Sequence, residues 1–186
     1  RLSARRRPGT VEQSLRFLHV TYAPAKMPIP GPFTLSGCIG GGEIYLDRKA
    51  VTEALIPIVN AELRALFADG VDFVQLDEPS FACHPDEPDY FLDVIARTVE
   101  GVDAYISMHM CFGNYRARAV GWRFYKPLFT HIGTAKVTPR ALALDSREIA
   151  GLDLFSVRPE PRPHPWVSVG LNCQWATRGT RGAARA

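Results

Sequence analysis

The chain lacks several things that would place it in a class at once. Its 186 residues contain no apolar run near the roughly 18 needed to span a bilayer, so no membrane association is expected. No basic-then-apolar opening of the kind that directs secretion is present. Cysteine is sparse. The four, Cys38, Cys83, Cys111 and Cys173, are spread too widely for a small disulfide framework. Thiols or thiolate ligands in a reducing, cytoplasmic compartment are the expectation. Acid is absent from two short arms, 1–10 with Arg1, Arg5, Arg6 and Arg7, and 177–186 with Arg178, Arg181 and Arg185. Taking those seven arginines from a net charge of +3 leaves −4 for the remainder, so the body of the protein is not a nucleic-acid surface. The arms lack interleaved aromatics and read as solvated tails.

What is present is ordinary globular material. Hydrophobic residues make up 46% and charged residues 22%, which argues against disorder and for one domain over 11–176 between the two arms. Val51, Leu55, Ile58, Val59, Leu63, Leu66 and Phe67 form one apolar stripe at helical spacing. Asp47 suits its N-cap and Gly70 its stop, and Pro57 is expected to kink or split it. The run 71–76 reads as a strand ending at Asp77-Glu78-Pro79. A helix over 88–99 follows, then a strand over 104–108 ending at His109-Met110-Cys111. Further helices are expected over 14–20, 124–129 and 147–155, and strands over 26–29, 141–144 and 166–171. Short strands alternating with helices are the mark of parallel βαβ units, whose chemistry gathers at the carboxyl ends of the strands. Polar residues fall there repeatedly: Asp77 with Glu78, His109 with Cys111, and Asn172 with Cys173.

His109 and Cys111 stand two apart at a strand end, where i and i+2 share a side. An imidazole and a thiolate suit Zn2+, and Cys173 from the last strand would make a third ligand with the fourth position open, the arrangement of a catalytic zinc. The same cysteines also read as small buried hydrophobes. Asp77 and Glu78 suit a substrate ammonium group or acid–base work, and equally a cap on the turn before Pro79. Cys83-His84 sits in a Pro/Asp-rich loop. The 37–42 run, Gly-Cys-Ile-Gly-Gly-Gly, lacks the Lys-Ser/Thr of a P-loop.

Three motifs in order, Pro30-Gly31-Pro32-Phe33-Thr34-Leu35, Val74-Gln75-Leu76-Asp77-Glu78-Pro79 and His109-Met110-Cys111-Phe112-Gly113-Asn114-Tyr115, resemble the catalytic domain of cobalamin-independent methionine synthase and its short paralogues. The resemblance runs from about residue 15 to 155 and again near Cys173, which precedes Thr177-Arg178-Gly179. It implies a (β/α)8 TIM-type barrel, here incomplete with about five to six parallel strands where closure takes eight. It implies zinc on His109, Cys111 and Cys173, a substrate amino group held at Asp77 with Glu78 beside it, and methyl transfer from a methylated folate to a homocysteine-like thiol in methionine biosynthesis. An oligomer that completes the barrel is the matching expectation.

Two positions depart from the pattern. The zinc-site glutamate of the family aligns with Ala143, and a tryptophan that helps hold folate aligns with Cys38. These leave two alternatives, a paralogue using zinc–thiolate chemistry on another electrophile or donor, and a catalytically inactive remnant serving as a binding or assembly partner.

Overall fold

In the computed structural model, residues 2, 9–22, 26–71, 73–84, 86–103, 105–111, 114–115, 118–119, 141–145 and 166–170 are described. The expected helices over 124–129 and 147–155, Cys173 and most of both arms lie outside them. The described elements run α1 (Thr10–Leu18), β1 (Met27–Pro30), α2 (Pro32–Ser36), α3 (Arg48–Ala68), β2 (Phe73–Asp77), a 3-10 turn (Pro79–Cys83), α4 (Pro88–Thr98), β3 (Tyr105–Met110), β4 (Asn114–Tyr115), β5 (Arg118–Ala119), β6 (Ala141–Asp145) and β7 (Trp166–Gly170). Five strands form one parallel sheet in the order β1-β2-β3-β6-β7, and β4 pairs with β5 as a small antiparallel ribbon. The α/β class with parallel strands is therefore as expected.

Alternation along β2 separates two faces. Val74 and Leu76 are fully buried and join Ile29, Met108 and Met110 with Val59, Leu63 and Leu66 of α3 and Phe91 and Ile95 of α4 in one core. Each such side chain contributes about 1.5–3 kcal/mol of burial. The other face carries Phe73, Gln75 and Asp77 on β2 and Tyr105 and His109 on β3, all half-buried.

Helix α3 shows why local signals held. The Asp47 carboxylate accepts from the Ala50 amide at 2.8 Å and caps the start. At the far end Gly70 adopts φ 89°, its N–H reaches the Phe67 carbonyl, and the Val71 N–H reaches the Leu66 carbonyl. That is a Schellman stop, with Val71 and Leu66 buried as its hydrophobic contact. The expected break at Pro57 does not occur, and the helix runs through it. Pro57 lies on the exposed side, so the hydrogen bond it cannot make belongs to a carbonyl within reach of water. Ile56 rather than Ile58 completes the buried stripe, and Phe67 stays 40% exposed.

Candidate functional site at the carboxyl edge of the sheet

The strand register brings the candidate residues to one row. Pro30 pairs with Asp77, Asp77 with His109, His109 with Ala143, and Ala143 with Ser168. Pairing of this kind places Asp77 and His109 side by side at the carboxyl ends of β2 and β3, on the polar face. The backbone continues the ladder past the strand ends, with Gly31 N–H donating to the Asp77 carbonyl at 2.8 Å and Glu78 N–H to the His109 carbonyl at 2.9 Å. Cys111 follows one residue beyond β3 and is half-buried, like His109.

Asp77 is held from its own strand. Gln75, two residues earlier on the same face, donates from Nε2 to Asp77 Oδ1 at 2.7 Å, and Lys26 Nζ donates to Gln75 Oε1 at 2.6 Å. From sequence Lys26 has no role and Gln75 is placed only as a member of the 74–79 motif, although period-2 alternation puts Gln75 on the Asp77 face.

Glu78 does not share that face. Contrary to the expectation from sequence, Asp77 and Glu78 do not stand together as substrate-facing carboxylates, because successive residues point to opposite sides and Glu78 continues the inward series of Val74 and Leu76. It is fully buried. Its Oε1 accepts from the Phe33 amide at 3.0 Å, and its Oε2 from the Thr34 amide at 2.9 Å and the Thr34 hydroxyl at 2.7 Å. The carboxylate thus closes the first turn of α2, which begins Gly31-Pro32 and has no cap of its own. Burial pushes its carboxyl up to about 7, against the downward pull of the Thr34 hydroxyl, the two amides and Arg48.

Arg48, the first residue of α3, fastens the same corner. Its guanidinium lies 3.8 Å from the Phe33 ring centroid and donates to the Phe33 carbonyl, the Ser36 hydroxyl and the Ser80 hydroxyl. It also meets His84 Nε2 at 3.1 Å. Burial lowers the Arg48 pKa and is opposed chiefly by Glu78. Burial, then the charge of Arg48, lowers that of His84. His84 belongs to this corner, its ring edge-on to Phe33 at 5.3 Å, and Cys83 Sγ donates to the Pro79 carbonyl beside it.

The donor set can be tested against zinc on this geometry. Imidazole and thiol are the right kinds of ligand, and both stand at the end of β3. On one side His109 has Asp77 in register, and on the other Ala143, which offers no ligand. Among the described residues no three His, Cys, Asp or Glu side chains gather as a metal cluster. The set fits zinc in kind and needs a third donor, for which Cys173, outside the described residues, is the sequence candidate.

Comparison with known proteins points one way. The chain is 34% identical over 130 residues to a protein named methionine synthase from Pyrococcus furiosus, and 31% identical over 130 residues to its namesake from Pyrococcus abyssi. Each match covers 70% of this chain and 35% of the relative, so the chain spans about a third of the length of the curated relatives it matches. A solved B12-independent methionine synthase from Shewanella sp. W3-18-1, in complex with selenomethionine, superposes with a TM-score of 0.72 at 27% identity, over 90% of this chain and 50% of that one. No family model matches.

Proposed function

We propose that the chain, similar as it is to proteins named methionine synthase and to a B12-independent methionine synthase structure, belongs to the cobalamin-independent methionine synthase family and carries part of a zinc-dependent methyltransferase site acting on a thiol in methionine biosynthesis. In this reading the five parallel strands are a segment of a (β/α)8 barrel with the polar face turned to its lumen. The domain is 11–176, flanked by the arms 1–10 and 177–186, and it works in the cytoplasm. His109, Cys111 and Cys173 would hold Zn2+, which when bound supplies a positive centre that favours the thiolate form of a substrate thiol. Asp77 takes the ammonium group of a homocysteine-like amino acid and orients it beside His109. The sulfur of that substrate then takes the methyl group carried on nitrogen by a methylated folate.

One observation carries this reading, the register row that sets Asp77 beside His109 at the carboxyl edge of a half-buried polar face. A carboxylate for an ammonium group and a nitrogen ligand for a metal then stand on adjacent strands, about 5 Å apart by strand spacing. The test is methyl transfer from methylated folate to homocysteine by the purified chain, with His109→Asn alongside. Transfer that His109→Asn abolishes supports the reading, and equal rates in both contradict it.

A second reading is favoured by Ala143. A site with alanine in register beside His109 has one carboxylate fewer than the family pattern, as an inactive copy retained for binding or assembly would have. Absence of transfer together with absence of zinc uptake decides for it.

A further inference from the structure

We propose that Gln75 is a positioning residue for Asp77 and that Lys26 sets the direction in which Gln75 does so. The proposal rests on the reading of Asp77 as the carboxylate that takes a substrate ammonium group, and it assigns two residues outside that reading.

A glutamine amide can present either its oxygen or its nitrogen to a neighbour, and the two orientations have opposite consequences beside a carboxylate. With oxygen forward it would repel Asp77. With nitrogen forward it donates, and here it donates to Oδ1 at 2.7 Å. The choice is made at the other end of the amide, where a Lys26 ammonium group has only donors to offer and takes Oε1 at 2.6 Å. Lys26 is itself steadied, with Nζ 5.7 Å from the centroid of the Phe73 ring, which meets Tyr105 edge-on at 5.1 Å. A cation on the amide oxygen polarises the group and strengthens the bond its nitrogen gives. The sequence of donors is therefore one-way, Lys26 to Gln75 to Asp77.

This arrangement fixes one carboxylate oxygen of Asp77 from below, along its own strand. The side chain is held in one rotamer at the strand end beside His109. A ligand ammonium group then meets a carboxylate already oriented, which lowers the ordering cost of binding. Lys26 thus acts on the Asp77 carboxylate through the neutral Gln75 amide.

The experiment has two arms on the 186-residue chain. The first follows the side-chain amide protons of Gln75 by NMR. In the unmodified protein the proton facing Asp77 should lie downfield of those of exposed glutamines. Lys26→Met should move it towards them and Lys26→Arg should keep it in place. No movement in Lys26→Met overturns the relay. The second arm compares binding of L-methionine with that of its des-amino analogue, 4-(methylthio)butanoate. The preference for the amino acid should fall about tenfold in Gln75→Leu and at least about threefold in Lys26→Met, with Lys26→Arg within about twofold of the unmodified chain. A moved amide signal with an unchanged preference overturns the positioning role. A chain with no preference, unaffected by Asp77→Asn, instead removes the ammonium reading of Asp77 and leaves the amide signal to judge the relay.

Discussion

Glu78 reaches the first turn of α2 because residue 31 is glycine. A Cβ built on Gly31 would overlap the Glu78 carboxylate, so the Gly-Pro and Asp-Glu-Pro motifs, 45 or more residues apart in sequence, describe the two halves of one contact. Gly31→Ala should destabilise the protein by about 2 kcal/mol or more, as overpacking of a fixed buried group does. Glu78→Ala clears the space. Urea unfolding of the two single variants and the double variant should therefore give a double-variant loss well below the sum of the singles. Additive losses would contradict the contact.

The same carboxyl makes a pH prediction whose sign is unusual for an acid. Its folded pKa, about 7, lies above the ordinary value of 4.5, so the native state binds the proton more tightly than the unfolded state. The stabilisation is complete below about 4.5 and is lost as pH rises to about 7, a change on the order of 3 kcal/mol. Relative to Glu78→Gln, the unmodified chain should lose stability between pH 5 and pH 8. A difference that stays flat across that range would refute the assignment.

Glu62 is the second buried glutamate among the described residues and does similar work for α1. From α3 its Oε1 accepts from the amides of Thr10 at 3.0 Å and Val11 at 3.3 Å, where Gly9 offers no side-chain cap. Glu62→Ala should cost about 1–3 kcal/mol and speed hydrogen exchange at Thr10 and Val11. Glu62→Gln, which keeps an acceptor, should recover much of the loss. Exchange at those two amides unchanged in Glu62→Ala would count against the cap.

These residues show what could be read from the chain. Helix α3 was legible because its period, its Asp47 cap and its Gly70 stop are all local. The polar row was legible in part, since Asp77 and His109 stand at the ends of runs with strand character in the sequence. Helix α1 was expected to start at Ser14 and starts at Thr10, because its cap comes from a residue about fifty positions away. Helix α2 was not foreseen, being five residues long with Pro32 in its first turn and too short to show a period. The motif leaves Glu78 open between a substrate-facing role beside Asp77 and a cap. The inward series Val74, Leu76, Glu78 written in the alternation favours neither a substrate contact nor the turn before Pro79 but the buried contact with α2. Gln75 lies inside the 74–79 motif with no role evident from sequence and Lys26 lies outside all three motifs, so it is the hydrogen bonds that give the two residues their part.

Ala143 offers a test of the register itself. If β6 sets residue 143 beside a zinc held by His109, Ala143→Glu should tighten zinc binding by about tenfold or more, the size of effect that groups around a metal commonly have. Zinc titration with a competing chelator measures it. Unchanged affinity would contradict that placement.

The central proposal is that His109 and Cys111, together with Cys173, form a zinc site at the carboxyl edge of the sheet. Elemental analysis of the purified chain and of Cys111→Ser tests it most directly. The account predicts about one zinc per chain, lost in the variant, since a hydroxyl replaces a thiolate ligand. Full zinc retained in Cys111→Ser, or less than about a tenth of an equivalent in the unmodified chain after zinc is offered, would contradict it.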